Sequence, residues 1–392
     1  MIVGVPREMS AGERRVSLVP SAVQVLVKAG LEVLVEAGAG EAAGYPDPAF
    51  VARGAALVSR EDVFARADIV LQVRGPGAGT GAAAADLAMY RPGQVVIAMH
   101  DPLGAPEMVK ELAARGVTAF SLELVPRITR AQSMDVLSSM ATVAGYQAVL
   151  VAAETLPQLF PMLMTAAGTL APAKVFVVGV GVAGLQAIAT AKRLGAVVEA
   201  YDVRPAVKDQ VLSVGAKFVE FDLETEGAED KGGYAREQSE DFIRRQQEQM
   251  KKVVARNDVV ITTAAIPGKP SPVLVTEEMV AAMAPGSVIM DLAAERGGNC
   301  ALTRADETVV AHGVTILGPT DLVSRKPRHA SQMFAKNVET YLLSMIDEGA
   351  LTFDLEDEVV AETLLTRNGE VVHPRIRGLL GLEVAGTEGG EA

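Results

Sequence analysis

The chain has 392 residues, enough for two domains with full cores. It is 49% apolar and 22% charged, the balance of a water-soluble globular protein, and its net charge of −13 with no Lys/Arg-rich run argues against a nucleic-acid surface. The single cysteine, Cys300, rules out an internal disulfide and fits a reducing, cytoplasmic setting.

The first 130 residues alternate strand and helix. Strands are expected at 2–5, 32–36, 69–73, 95–99 and 118–122, with helices at 21–29, 48–53 and 106–115. Such alternation predicts an open parallel sheet. The opening MIVGVPRE reads as a strand, not as a signal peptide. Residues 133–156 read as one long helix joining two domains. Residues 159–185 are the most apolar stretch, but Pro161, Pro172, Lys174 and several glycines break it, so no membrane span is expected. Later elements are a helix at 207–214, strands at 217–220, 259–264, 288–292 and 314–317, and helices at 237–256 and 330–348. A tail hairpin, 359–366 with 370–373, turns at Asn368-Gly369. The expected fold is α/β: two doubly wound parallel-sheet domains joined by long helices. The first comprises residues 1–137 with 328–392, and the second comprises 138–327.

Residues 174–204, KVFVVGVGVAGLQAIATAKRLGAVVEAYDVR, carry the clearest chemistry. An apolar β-branched run at 175–178 reads as a buried parallel strand. Gly179, Gly181 and Gly184 follow as G-x-G-x-x-G. The first makes the tight turn, the second lets the backbone approach a pyrophosphate, and the third lets the helix pack against the strand. A helix at 182–194 points its N-terminal amides at that pyrophosphate. A second strand at 197–201 ends in Asp202, a carboxylate placed for a ribose contact. Asp202 favours NAD over NADP, because a carboxylate accepts from a free 2′-hydroxyl and repels a 2′-phosphate. Arg204 could pair with such a phosphate, but it is read as a surface arginine entering a helix at Pro205. Residues 222–240, acidic and glycine-containing, fit a solvated loop as well as a mobile flap hinged at Gly232 and Gly233 and covered by Tyr234.

A second candidate segment is PRITRAQSMDVLSS, which packs Arg127, Arg130, Gln132, Asp135 and Ser138 into one loop-to-helix junction between the expected domains. Clefts between domains are common cofactor sites. A structural reading competes: Thr129 with Gln132 matches a capping box, Ser133 could cap the helix, and Asp135 suits its dipole.

The stretch PRITRAQSMDVLSSMATVAGYQA resembles the NAD(H)-binding domain of proton-translocating nicotinamide nucleotide transhydrogenases, a family related to the alanine dehydrogenases. VGVPRE, RRVSLVP, VGVGVAGLQAIATAKRLGA, YDVRP, ITTAAIPGKP and DLAAERGGNC resemble it too, so the likeness spans nearly the whole chain. The resemblance implies that Arg127, Gln132 and Asp135, with Ser138 in support, contact the nicotinamide and its ribose. It implies that Val182, Asp202, Val203 and Arg204 line the adenosine side. It places Gly233 and Tyr234 in a mobile loop and brings Gln246 and Ala265 to the cofactor. It further implies a homodimeric, NAD-binding soluble subunit that passes hydride to NADP held on a partner. That partner and a membrane-embedded proton-translocating subunit would hold this chain peripherally at the inner membrane.

The alternative within the same fold is an alanine dehydrogenase, and a further alternative is an NAD(H)-sensing module without catalysis. The dehydrogenase family needs a lysine and a histidine at the substrate. The matching place, QVRGP, has Arg74 instead of lysine, His100 lies near the family's histidine, and Arg15 matches its substrate arginine. Oxidising an amine or alcohol requires a group that takes a proton, which arginine cannot do. Hydride transfer between two nicotinamides moves no proton at the reacting carbons and requires only orientation and exclusion of water. No His/Cys spacing suggests a metal.

Overall fold

The computed structural model describes residues 1–79, 81–221, 239–347 and 349–383. The chain divides into two compact units: Met1–Met140 with Ser324–Ala392, and Ala141–Val323.

Unit 1 begins with six strands: β1 (Ile2–Val5), β2 (Glu32–Glu36), β3 (Ala56–Val58), β4 (Ile69–Arg74), β5 (Val95–Met99) and β6 (Thr118–Ser121). All pair in parallel. Their sequences are nearly continuous Val/Ile/Leu runs, as expected of strands covered on both faces. Two short elements carry too weak a sequence pattern to be expected: the edge strand β3 and the Arg60–Arg66 helix, which Ser59 caps by accepting from the Asp62 N–H.

Unit 2 opens with an exposed hairpin, β7 (Leu163–Thr165) and β8 (Gly168–Leu170). Its sheet comprises β9 (Lys174–Val178), β10 (Val197–Tyr201), β11 (Lys217–Phe218), β12 (Val259–Thr262), β13 (Val288–Asp291), β14 (Thr308–Ala311) and β15 (Val314–Leu317). Spatially they run β11-β10-β9-β12-β13-β15-β14, with only β14 antiparallel. Strand order reverses across the β9/β12 pair, the topological switch point of a doubly wound sheet. Register puts Tyr201, Val178, Thr262 and Asp291 in one row at the carboxyl edge. The residues that follow this row build the site described below. Apolar clusters cover both faces of the sheet, one around Val175 and Val177, the other around Phe176 and Val178.

The chain then returns to unit 1. The Pro327–Leu343 helix is shorter than expected. It gives way to a two-stranded turn, β16 (Ile346–Asp347) and β17 (Ala350–Leu351). The tail hairpin is β18 (Leu364–Arg367) and β19 (Glu370–Val371). Asn368 and Gly369 hold φ of 53° and 82°, as a type I′ turn requires. The expected first arm was too long, because Glu358–Thr363 is helical and is capped by Asp357. β18 pairs antiparallel with β6, completing an eight-stranded sheet ordered β19-β18-β6-β5-β4-β1-β2-β3. Both units therefore share one parallel topology.

The expected helix at 133–156 begins later, as Val136–Thr155, after a 3-10 turn at Thr129–Met134. Its composition and length would suit a membrane span. Yet Ala148, Val149 and Ala152 lie fully buried in the core of unit 2, which is the behaviour of a core helix. Gly145 allows that packing: a Cβ there would sit 2.1 Å from the Ala183 carbonyl oxygen. We expect Gly145→Ala to destabilise the chain by about 1–3 kcal/mol, the usual cost of overpacking. Gly181→Ala, whose Cβ would meet nothing within 4 Å, should change stability by only a few tenths of a kcal/mol. Urea melts of the two variants check the contrast; equal losses would refute it.

Candidate functional site

The carboxyl edge of the unit 2 sheet carries the glycine turn. Gly179 has φ of 91°, and a Cβ on it would lie 2.7 Å from the Thr263 hydroxyl. Gly184 is tighter still, its Cβ falling 1.9 Å from the Gly179 carbonyl oxygen. These two glycines let the Val182–Arg193 helix start hard against β9. Gly181 stands at the helix N-cap, provides no side-chain cap, and faces open space. The first-turn amides thus point, without a capping side chain, to where an anion would sit. Val182 is exposed beside them. The residues present fit a dinucleotide pyrophosphate.

Asp202 follows β10 in the same row and is buried. Its Oδ2 accepts the Val180 N–H at 2.7 Å, which ties the glycine turn to β10. Three further bonds to Asp202 come from Arg204: its backbone N–H and Nε to Oδ1, both at 2.9 Å, and Nη2 to Oδ2 at 2.8 Å. This corrects the reading of Arg204 as a surface arginine. Its side chain is only 13% exposed and is turned back onto the carboxylate. The backbone does enter a 3-10 turn at Pro205, as expected. Val203 is half-buried against the core.

On the β12 side, Thr263 donates from its hydroxyl to the Gly179 carbonyl at 2.9 Å. Ala264 is gripped at both its backbone groups by Asn299. The side-chain carbonyl of Asn299 accepts from the Ala264 N–H at 2.9 Å, while its Nδ2 donates to the Ala264 carbonyl at 2.8 Å and to the Pro272 carbonyl at 2.9 Å. Asp291, fully buried at the end of β13, in turn accepts from Asn299 N–H, Cys300 N–H and the Thr303 hydroxyl. This clamp fixes the segment that presents exposed Ala265. Neither Asn299 nor Asp291 was expected from the sequence. The acid-glycine-glycine-asparagine pattern of DLAAERGGN was visible, but nothing in it named the distant partner. Gln246 is buried and donates to the Tyr201 hydroxyl at 3.0 Å, so it supports the strand end beside Asp202. Gly232, Gly233 and Tyr234 lie outside the described residues.

In unit 1 the 127–138 segment is ordered by Asp135. Its Oδ1 accepts the Ser138 N–H at 2.9 Å and its Oδ2 the Ser138 hydroxyl at 2.6 Å, so Asp135, not Ser133, caps the helix. The expected capping box at Thr129 does not form, since the 3-10 turn there has no side-chain cap. Gln132 is exposed on that turn, and Arg127 is exposed on the preceding loop. Arg130 pairs with Asp357. The structure thus joins Asp135 to Ser138 directly and leaves Gln132 and Arg127 close by in sequence.

The switch point of unit 1 is filled differently. Glu8 accepts the Val73 and Arg74 N–H groups at 2.6 and 3.1 Å. Glu13 takes Arg15 Nε at 2.7 Å, Arg74 Nε at 3.0 Å and the Ser324 hydroxyl at 2.6 Å. Burial by itself would raise Glu13, but the Arg15 guanidinium overrides it and holds that carboxyl well below its usual range. Burial, with Glu13 adding to it, pushes Glu8 up to about 8. His100 is buried with neither ring nitrogen bonded, and burial lowers it to about 4, so it stays neutral.

Family models match over most of the chain: "Alanine dehydrogenase/PNT, N-terminal domain" over residues 4–144 and "Alanine dehydrogenase/PNT, C-terminal domain" over 148–374. The chain belongs to this alanine dehydrogenase/PNT family. Within it, the chain is 48% identical to the separately encoded first segment of the NAD(P) transhydrogenase alpha subunit of Rhodospirillum rubrum, over 96% of this chain and 99% of that one. A solved transhydrogenase from Sinorhizobium meliloti is 45% identical with a TM-score of 0.85, covering 95% of this chain and all of the other. A solved L-alanine dehydrogenase shares the fold at a TM-score of 0.81, covering 97% of this chain and 99% of its own, but at 26% identity.

Two outcomes test this anatomy. Asn299→Ala should speed hydrogen exchange at the Ala264 amide about tenfold, the loss of one hydrogen bond of about 1.4 kcal/mol; unchanged exchange would refute the clamp. Glu8 should make stability fall with rising pH. Between its ordinary value of 4.5 and about 8 the folded chain keeps a proton that the unfolded chain has released, so its stabilisation is complete below 4.5 and is lost as pH rises through about 8. Glu8→Gln should remove this slope, up to about 1.4 kcal/mol per pH unit, in melts at pH 6 and pH 8. Parallel slopes in the two proteins would refute it.

Proposed function

We propose that this chain is the NAD(H)-binding alpha component of a proton-translocating NAD(P) transhydrogenase. The observation that carries the reading is the carboxyl edge of unit 2: a glycine turn, an uncapped helix start and a buried carboxylate in one row at a topological switch point. The 48% identity to a transhydrogenase alpha subunit over nearly the full length of this chain supports it.

In this reading the Val182–Arg193 helix amides bind the pyrophosphate and Asp202 selects NAD(H) by accepting from the adenosine ribose. Arg127, Gln132, Asp135 and Ser138 orient the nicotinamide ribose and carboxamide, as the resemblance implies. The bound nicotinamide supplies the hydride. The protein's own role is to position and to exclude water, since hydride exchange between two nicotinamides needs no proton acceptor at the reacting carbons. NADP is held by a partner subunit, and a membrane-embedded subunit couples the transfer to proton movement. The chain works as a homodimer at the membrane surface.

The test is a sequence of additions to the purified chain. NADH fluorescence should change on binding. Pyruvate with ammonium should then leave the NADH absorbance unchanged, and hydride should move only after the NADP-binding partner and NADP⁺ are added. Oxidation by pyruvate and ammonium would make the chain an amino-acid dehydrogenase; binding without transfer, even with the partner, would make it a sensor. Gln132→Asn should slow transfer in the assembled enzyme at least about tenfold, a loss of one orienting hydrogen bond, while weakening NADH binding less. Equal losses would mean that Gln132 only supports the turn.

A further inference from the structure

We infer that the Arg204 side chain is a displaceable stand-in for the ribose diol: it occupies the acceptor sites of Asp202 and must leave them before a dinucleotide with a free 2′-hydroxyl can bind. The inference rests on the dinucleotide reading of unit 2 and adds a specificity-determining residue to it.

The argument is one of acceptor capacity. An ionised carboxylate offers about four lone-pair sites. Asp202 receives four donors: Val180 N–H at 2.7 Å, Arg204 N–H at 2.9 Å, Arg204 Nε at 2.9 Å and Arg204 Nη2 at 2.8 Å. The carboxylate is therefore saturated, and its side chain is only 5% exposed. A ribose hydroxyl that donates to it has to replace one of these four. Two of them are backbone groups. Val180 is locked between β9 and the helix by Gly179 and Gly184, and the Arg204 N–H is fixed by the turn entering Pro205. The guanidinium bonds are the pair that side-chain rotation alone can release. They also match a vicinal diol in form, being two parallel donors to the two oxygens of one carboxylate.

Displacement gives the pair opposite effects on the two nucleotides. With a 2′-hydroxyl, the ribose takes the place of the guanidinium, and breaking the ion pair subtracts from affinity. With a 2′-phosphate, Arg204 is the only one of the two side chains that attracts the ligand, while Asp202 repels it. Deleting the arginine should then help one nucleotide and harm the other. An arginine that merely contacts the cofactor would weaken both when removed.

The experiment is calorimetric titration of NADH, NADPH and ADP-ribose into the full chain and its Arg204→Ala, Arg204→Lys and Asp202→Ala variants. The expected result for Arg204→Ala is NADH and ADP-ribose binding about three- to tenfold tighter, the order of one partly buried ion pair, with NADPH binding weaker. Arg204→Lys, which keeps the charge but loses the two-pronged geometry, should fall between. Asp202→Ala should narrow the NADH/NADPH preference. Weaker or unchanged NADH binding by folded Arg204→Ala overturns the displacement while leaving the dinucleotide reading standing. A wild-type chain that binds neither NADH nor ADP-ribose overturns the dinucleotide reading itself. A readout without mutation is the Arg204 Nε–H signal in the wild-type NMR spectrum. Loss of its hydrogen-bonded character on adding NADH supports displacement, and its persistence at saturation overturns it.

Discussion

The site depends first on a missing atom. A Cβ at Gly184 would stand 1.9 Å from the Gly179 carbonyl oxygen, so only glycine lets the helix start directly on the turn that leaves β9. That approach brings the first-turn amides to the edge of the sheet, and Gly181 leaves them without a capping side chain. Gly145 does the same on the other side of that helix, against Ala183. The helix start is thus positioned from two directions by backbone contact, which leaves little room for rotamer adjustment. From this follow the tie between Val180 and Asp202, the tie between Thr263 and Gly179, and the carboxylate that ends up saturated.

The two units share a strand order yet present opposite chemistry at their switch points. In unit 2 the peptide groups there are open and the sequence supplies no side chains to fill the space. In unit 1 the same place is occupied by Glu8, Glu13, Arg15 and Arg74, whose bonds are made among themselves, to Ser324 and to the ends of β4. Arg74, at the position where an alanine dehydrogenase is expected to carry a lysine, is bound to Glu13 and to the Ala78 carbonyl. His100 is neutral and buried. Fold alone does not choose between the two chemistries of this family. The residues at the carboxyl edge of unit 1 do, and among the described residues they offer no lysine and histidine pair of the kind amino-acid oxidation requires.

What was legible in the sequence was local. The strand–turn–helix–strand of residues 174–202 follows from short-range rules, since each glycine has a backbone reason and each strand an apolar run. β9 and β10 and the helix between them lie within a residue of their expected bounds. The turn at Asn368-Gly369 was equally plain. The misses are tertiary. Ser133 is as good a cap as Asp135 by composition, and only the 3-10 turn before Val136 decides between them. Arg204 reads as exposed because an arginine before a proline usually is; that it folds back onto Asp202 depends on a carboxylate already aimed by Val180. Asn299 and Ala264 are 35 residues apart, and no periodicity links them.

The saturated carboxylate also bears on why a site of this kind can be selective without being tight. If Asp202 were unpaired in the free protein, a buried charge would stand without compensation, at a cost of several kcal/mol. Pairing it with Arg204 removes that cost but sets a threshold that any ligand must cross. Such a threshold lowers affinity for the favoured nucleotide and keeps the site closed to ligands that offer only one donor. A component that must take up NADH, give up its hydride and release NAD⁺ on each turnover gains from moderate affinity, because binding that stabilises ground state and transition state equally does not speed transfer. The ion pair between residues 202 and 204 provides that moderation with groups already present for specificity.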